Sequence, residues 1–156
     1  ALSEAREKAE KIFAAEKASL ARDTDTARIE TTKQAAELST EIAAKLLQRL
    51  STSSIQEAFV SRLIKAITNM PESDRAALAQ TTDGIDLVSA SDIKAADKAK
   101  ITTSVQKALG STPTITFVTD TDLIAGMEIR TSHFVLHNSW QSDLAGILKE
   151  LNNAAQ

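Results

Sequence analysis

Cysteine and tyrosine are absent from this chain of 156 residues, and proline, glycine and aromatic residues are scarce. The lack of cysteine excludes disulfide bonds and thiolate metal sites. Only 3 % of the residues are aromatic. Because a large globular core usually contains more, we expect much of the chain to be extended helix, in which alanine and leucine suffice. No apolar run approaches the roughly 18 residues of a membrane span.

The charge balance is mildly acidic, with 18 Lys and Arg residues against 21 Asp and Glu residues and a net charge of −3. A protein that binds nucleic acid independently of sequence needs a basic face, so this balance argues against a nucleic-acid partner. No signal-peptide pattern is visible. Because the chain begins at Ala1 inside a helical pattern, we expect it to be a fragment whose upstream part is missing.

Residues 1–50 contain neither proline nor glycine, and good helix formers dominate them. Acidic and basic residues recur at helical spacing, as with Glu4 and Lys8, and each such pair stabilises a helix by about 0.2–0.5 kcal/mol. The composition predicts one continuous helix from Ser3 to Leu50, which we call the arm. At 1.5 Å per residue it would reach about 70 Å, so we expect it to project beyond a small domain.

Small and apolar residues recur along the arm in steps of 4, 4 and 3, an eleven-residue repeat that Glu16 and Arg49 interrupt. Such a period favours a right-handed supercoil with another helix. The alternative is a single solvated helix with an ordinary core stripe near its C-terminal end. The residues expected to contact a partner helix are Leu20, Ala27, Leu38, Ile42 and Leu46.

A serine-rich step ends the arm, and residues 51–84 predict a short helical neck. Ser54 and Glu57 have the spacing of a capping box, which predicts the start of a second helix. Pro71 is well placed to open a short helix over 73–78.

Beyond Gly84 the pattern changes, and residues 85–156 predict a small domain with helices on one face of a sheet. The expected order is a strand at 85–88, a helix at 91–109, strands at 114–119, 127–131 and 133–137, and a final helix capped by Asn138 or Ser139. The predicted fold class is therefore α+β. It combines a long N-terminal, coiled-coil-like helix, a short helical neck and a small C-terminal domain of strand, helix, strands and helix.

Few residues are candidates for metal binding. His133 and His137 are the only histidines, but on a strand they would lie about 13 Å apart, too far to share a metal. Asp120, Asp122 and Asp143 suggest a cation site, yet turn carboxylates more often accept hydrogen bonds from backbone N–H groups. We predict no metal site.

The sequence also offers no catalytic site. Ser139 lies close to His137 but lacks a third, orienting group and any oxyanion signal. The isolated glycines form no phosphate-binding loop. We therefore predict no catalytic residue, no cofactor and no small-molecule substrate. Trp140, the sole tryptophan, either covers the end of the sheet or anchors a partner.

Two segments carry a family resemblance. The turn Asp122-Leu-Ile-Ala-Gly126, with the strands and Leu-rich helix after it, resembles the C-terminal end of the delta subunit of F-type ATP synthases. That family usually has Leu-Ile-Gly-Gly at this turn, so Ala125 is a departure. Residues 36–50 resemble the end of the helix of subunit b. A b-like arm joined to a delta-like domain resembles subunit b of the b/delta-fused, alternate or sodium-type ATP synthases.

This resemblance implies a non-catalytic stator, or peripheral-stalk, subunit on the cytoplasmic side of a membrane. The implied partners are a second b-type stalk helix, the alpha subunits of the catalytic head, and a membrane subunit reached through the missing upstream segment. Whether the complex moves protons or sodium ions stays open. The head contact would involve Trp140, Leu144, Ile147, Leu148 and Leu151. Alternatives are an E-type stalk subunit of a vacuolar or archaeal-type ATPase, an unrelated coiled-coil adaptor with an α+β binding module, or a small enzyme.

Overall fold

The computed structural model describes residues 1–155, and it contains five α-helices and one four-stranded sheet within that range. The helices are α1 (Leu2–Leu50), α2 (Ser53–Asn69), α3 (Glu72–Ala79), α4 (Ala95–Leu109) and α5 (Trp140–Ala154). The strands are β1 (Ile85–Ser89), β2 (Ile115–Thr119), β3 (Met127–Arg130) and β4 (Val135–Leu136), with a 3₁₀ turn at Thr121–Leu123. The predicted α+β class and the long N-terminal helix are confirmed.

The arm is one uninterrupted helix, α1, as its composition predicted. The chain divides into two compact units: one contains Ala1–Thr40 and the residues from Leu148 onwards, and the other contains Glu41–Ile147. Within residues 1–155, every helix is either too short or too polar to cross a lipid bilayer.

Two helix starts differ from their predicted positions. Thr52, in extended conformation, caps α2 by accepting a hydrogen bond from Ile55 N, so the predicted capping box at Ser54 and Glu57 is wrong. The helix predicted to start at Ser91 begins only at Ala95. The reason is that the Ser91 carbonyl accepts a hydrogen bond from Ser89 Oγ at 2.7 Å, a local bond that competes with helix formation.

The sheet has the strand order β2-β1-β3-β4. β1 is parallel to β2 and antiparallel to β3, and β3 is antiparallel to β4. The parallel pair is joined by α4, and α2 contacts both α4 and β3. The neck helices α2 and α3 contribute to the same apolar core as α4, and β3 and β4 pair as neighbouring antiparallel strands.

The strand register divides the side chains of the sheet between two faces. One face supplies the apolar core together with α2, α3 and α4; its strand residues are Ile85, Leu87, Ile115, Phe117, Met127, Ile129 and Leu136. Asp86, Thr116 and Val118 lie on the opposite face and are exposed. Glu128 also lies on that face, yet it is only 1 % exposed.

Candidate partner-binding surfaces

Helix α1 exposes a row of large aliphatic side chains that nothing in the described chain covers. Leu20, Leu38, Ile42 and Leu46, four of the five residues predicted to contact a partner helix, are 53–66 % exposed, and Ala27 is exposed as well. Isolated exposed leucines are common in soluble proteins, but a contiguous apolar surface marks an interaction site. Leu38, Ile42 and Leu46 are neighbours because residues spaced by four share one side of a helix.

The second half of α1 has a second apolar side. Ala36 is buried, and Ile29, Thr40, Ala43 and Leu47 are partly buried. Their spacing places them together on the side of the helix opposite Leu38, since consecutive residues are rotated by about 100°. This part of the helix is therefore already packed on one side within the chain. The exposed row lies on the other side of the helix.

The predicted head-contact residues lie on α5. Ile147 and Leu151 are 48 % and 44 % exposed, one turn apart on the same side of the helix, while Leu144 and Leu148 are half-buried. Trp140 is also half-buried, and its ring meets that of Phe59 edge to face with centroids 5.9 Å apart. The structure thus gives Trp140 an intramolecular contact, and it leaves Ile147 and Leu151 as the accessible apolar pair.

An ion pair connects α2 to the start of α5. Both Nη atoms of Arg62 donate to the Asp143 carboxylate at 2.9 Å, and the guanidinium lies 5.7 Å from the Phe59 ring centroid. The hydrogen bond to Asp143 raises the pKa of Arg62 and outweighs the opposing effect of its partial burial. Asp143, a candidate for cation binding in the sequence, is therefore engaged in fixing α5.

The turn before β3 employs the other two candidate carboxylates differently. Asp120 Oδ1 accepts a hydrogen bond from Asp122 N at 3.0 Å, and Asp120 Oδ2 accepts one from Arg130 at 3.3 Å. Asp122 is exposed. Gly126 has φ +132, and an added Cβ would lie 2.4 Å from Asn138 O. Gly126 therefore provides both conformational freedom and a close approach of two backbone segments.

A buried polar network ties β3 to the start of α5. Ser139 Oγ donates to Glu128 Oε1 at 2.7 Å and accepts from Ser142 N at 3.1 Å, so Ser139 caps α5 as predicted. Glu128 Oε2 also accepts a hydrogen bond from Arg130 Nη2 at 3.2 Å. His137 Nδ1 lies 3.4 Å from Glu128 Oε1. Sequence reasoning missed Glu128. The available signal was an acidic residue inside an apolar strand with an arginine two positions later on the same face.

Asn138 was considered only as a helix cap, but it is buried and bridges two elements. Its Nδ2 donates to Phe59 O at 2.8 Å and to Met127 O at 3.1 Å. Both are backbone carbonyls, one in α2 and one in β3. Asn138 therefore holds these elements at the point from which α5 departs.

A groove of about 630 Å³ lies between the start of α2 and the start of α4, with Glu57, Asp92, Lys94 and Lys100 among its lining residues. Neither His133 nor His137 lines this groove. His133 lines a different one. Within residues 1–155, no cluster of three His, Asp or Glu side chains has the geometry for a metal ion.

Three proteins of known identity are similar to this chain. ATP synthase subunit b 1 of Rhodospirillum centenum is 33 % identical over 146 residues, which are 92 % of this chain and 58 % of that protein. ATP synthase subunit b 3 of Beijerinckia indica is 31 % identical over 150 residues, 96 % of this chain and 58 % of that protein. ATP synthase subunit b 2 of Gluconobacter oxydans is 30 % identical over 121 residues, 77 % of this chain and 48 % of that protein.

The chain thus spans about half the length of the curated relatives it matches. A family model described as the ATP synthase delta (OSCP) subunit matches residues 13–151, from the first quarter of α1 to the last turns of α5. The match covers most of the chain. The chain belongs to the ATP synthase delta (OSCP) subunit family.

Proposed function

We propose that this chain is part of the peripheral stalk of a rotary F-type ATP synthase, where it joins the membrane sector to the catalytic head and resists rotation of the head. One observation carries the proposal. The same residues are similar to proteins named subunit b and to the delta (OSCP) family. A chain that combines both stalk components has a structural role, and we infer that it is not catalytic.

The long helix suits a stator. Its backbone hydrogen bonds are internal, so it resists bending without support from a globular core. A second helix packed along the exposed row at Leu20, Leu38 and Ile42 would stiffen it further. We infer that this partner is a b-type helix, either a second copy of this chain or a related chain.

Charges beside the row indicate how such a partner is oriented. Lys17 and Arg28 lie along one edge of the row, and Asp23 and Glu30 lie along the other. In a parallel pair of like helices the basic edge of one faces the acidic edge of the other, whereas an antiparallel pair opposes like charges. Parallel pairing is therefore favoured. Arg28 already forms an exposed ion pair with Asp25, which is weak enough to rearrange.

A cysteine replacement tests the arm, because the chain has no cysteine of its own. In a parallel, in-register pair of this chain Leu38→Cys lies opposite itself and should form a disulfide on oxidation. Ser39→Cys, on the flank of the row, is the matched control and should cross-link more slowly. Equal rates for the two variants would contradict the predicted seam in a pair of two copies of this chain.

We further propose that residues 85–156 contact the head, with Ile147 and Leu151 as the accessible part of the surface. Replacing both by Glu in the full-length protein should abolish co-purification with the alpha subunits and preserve arm pairing. The matched control is Gln141→Glu, which adds charge at an exposed position of the same helix. Deleting residues 85–156 should have the same effect as the double replacement. Normal recovery of the head with both variants would refute the head contact and place it elsewhere.

A further inference from the structure

β2 lies at an edge of the sheet and pairs only with β1. The hydrogen bonds Ile85 N to Thr114 O and Asp120 N to Ser89 O, both 2.8 Å, belong to this parallel ladder. Alternate residues of a strand direct their backbone groups to opposite sides. The even-numbered residues of the segment 114–120 therefore bond to β1, and the odd-numbered ones face away from it.

Three residues consequently line a free edge: Ile115, Phe117 and Thr119. Within the described residues 1–155, their backbone N–H and C=O groups have no hydrogen-bond partner. The free edge therefore offers three donors and three acceptors in alternation. Unpaired backbone groups at the edge of a sheet are a template for pairing with another extended strand. If a partner covered the edge, these groups would need hydrogen-bond partners within the interface.

This edge lacks the usual protection against pairing. The segment 114–119 contains no charged residue, glycine or proline, and β-branched residues and one phenylalanine make up all of it. Natural edge strands are commonly blocked by lysine, proline, a bulge or short length. At the opposite edge of the same sheet β4 is only two residues long, which is a form of protection. β2 has five residues and none of these features.

We propose that the free edge of β2 pairs antiparallel with β2 of a second copy of this chain, with Phe117 opposite Phe117 of the second copy. This register is the one in which all three donors and all three acceptors of each edge are used. Phe117 exchanges two hydrogen bonds with Phe117 of the second copy. Ile115 of each copy lies opposite Thr119 of the other, and each of these pairs also exchanges two hydrogen bonds. The two four-stranded sheets would then become one continuous sheet.

The side chains are self-complementary in the same register. Thr116 lies opposite Val118 of the second copy on the open face of the sheet, and pairs of β-branched side chains stabilise neighbouring strands. Val118 is 39 % exposed and Thr116 is exposed, so both are accessible. Asp120, next to the strand, falls opposite Thr114. Lys98 Nζ lies 5.7 Å from the centroid of the Phe117 ring and forms an ion pair with Asp92 at 3.5 Å, so the positive charge nearest the edge already has an acidic partner. This fit to itself favours a second copy over an unrelated strand.

One five-residue strand pair buries much less than the roughly 1,200–2,000 Å² of a stable interface, so the contact should be weak in dilute solution. It gains strength when two copies are held in one assembly at high effective concentration. The inference goes beyond the stalk function, which requires only the arm and head contacts. Its test must therefore trap a transient pair.

The register predicts a specific cross-link. In a non-hydrogen-bonded pair the Cα atoms are about 4.5 Å apart, within the range of a disulfide. A mixture of full chains carrying Thr116→Cys and Val118→Cys should form a disulfide-linked heterodimer at least tenfold faster than either variant alone. Both positions are exposed, and the chain has no other cysteine. Equal rates in all three samples, or no cross-link at high protein concentration, would overturn the proposal.

A second variant removes one edge donor without touching the ladder to β1. Thr119→Pro deletes an outward N–H group, and it should reduce the heterodimer yield of the mixed experiment several-fold, whereas Thr119→Ser should preserve the yield. Hydrogen exchange of the Ile115, Phe117 and Thr119 amides should slow as protein concentration rises. Protection that is the same at all concentrations would show that another segment covers the edge, and the proposal would then be wrong.

Discussion

Gly126 is the position at which one added methyl group should do the most damage. It has φ +132, a conformation that side chains rarely adopt, and an ideal Cβ would lie 2.4 Å from Asn138 O and 2.5 Å from Ser139 Cα. Both neighbours are backbone atoms, so no side-chain rotation can relieve the clash. The segments are held together here by hydrogen bonds from Met127 N to Asn138 O and from Trp140 N to Ala125 O, both 3.0 Å.

Replacing Gly126 by Ala must therefore strain the backbone and separate the two segments. A residue forced into a sparsely populated conformation costs about 1–3 kcal/mol. Each weakened backbone hydrogen bond adds about 1 kcal/mol. We expect Gly126→Ala to lower the free energy of unfolding by about 3–5 kcal/mol, which is large among single substitutions.

Two other glycines are internal controls for the same chemical change. Gly110 has φ +70 but no atom within 4 Å of the added Cβ, so Gly110→Ala should lower the free energy of unfolding by only about 1 kcal/mol. Gly146 lies inside α5, and no atom lies within 4 Å of its added Cβ either. Gly146→Ala should therefore raise the free energy of unfolding by about 0.5–1 kcal/mol.

Urea denaturation measures all three variants, with far-UV circular dichroism and the fluorescence of Trp140, the sole tryptophan, as independent probes. The reasoning depends on the order of the three results. If Gly126→Ala stays within 1 kcal/mol of the wild type, or if Gly110→Ala is the more damaging change, the close approach at Gly126 is not what the geometry indicates.

The remaining predictions concern the same junction. Asn138→Ala removes two buried hydrogen bonds to backbone carbonyls and should lower the free energy of unfolding by about 1–3 kcal/mol in urea; a loss too small to measure would contradict the bridge. Arg62→Ala should cost less than about 1 kcal/mol, since its ion pair with Asp143 is largely exposed, and added salt should shrink the difference. Ile124→Gly should be no more damaging than Ile124→Val, because glycine relieves about 1–3 kcal/mol of backbone strain. A cost for the glycine several kcal/mol above that of the valine would refute the strain.

Regular secondary structure that extends over many residues was predictable from the sequence. The helix α1 follows from fifty residues without a breaker, and the hairpin of β3 and β4 follows from alternation. These features depend on many residues that favour the same local structure, so no single tertiary contact can override them. The interface residues predicted on α1 and α5 stay predictions, although their exposure suits the role for Leu38, Ile42, Leu46 and Ile147.

The errors occur where one side chain has several local options. Ser54 had the pattern of a helix cap and residue 91 was the predicted start of a helix. In the structure Thr52 caps α2, and the Ser91 carbonyl accepts a hydrogen bond from the Ser89 side chain. The capping residue is the one whose hydroxyl lies closest to the free N–H groups of the first helical turn. Which residue that is depends on where the preceding element ends. Glu128 was missed for a different reason, since its burial requires Ser139 and Arg130 to be in place.

The strained turn at Ile124 shows why part of this junction was invisible in the sequence. Ile124 has φ 68, and Ala125 N donates to Leu123 O at 2.8 Å, the geometry of a rare and strained γ-turn. A glycine in the sequence, such as Gly126, indicates that a positive φ is possible at that position, but an isoleucine gives no such indication. The neighbours impose it, because Leu123 and Ala125 are both 0 % exposed. Strain of this kind persists only where the surroundings over-determine the backbone. Here the strain lies in the turn that leads into β3. Ala125 O in this turn accepts a hydrogen bond from Trp140 N, the first N–H group of α5, so the strained turn also holds the start of that helix.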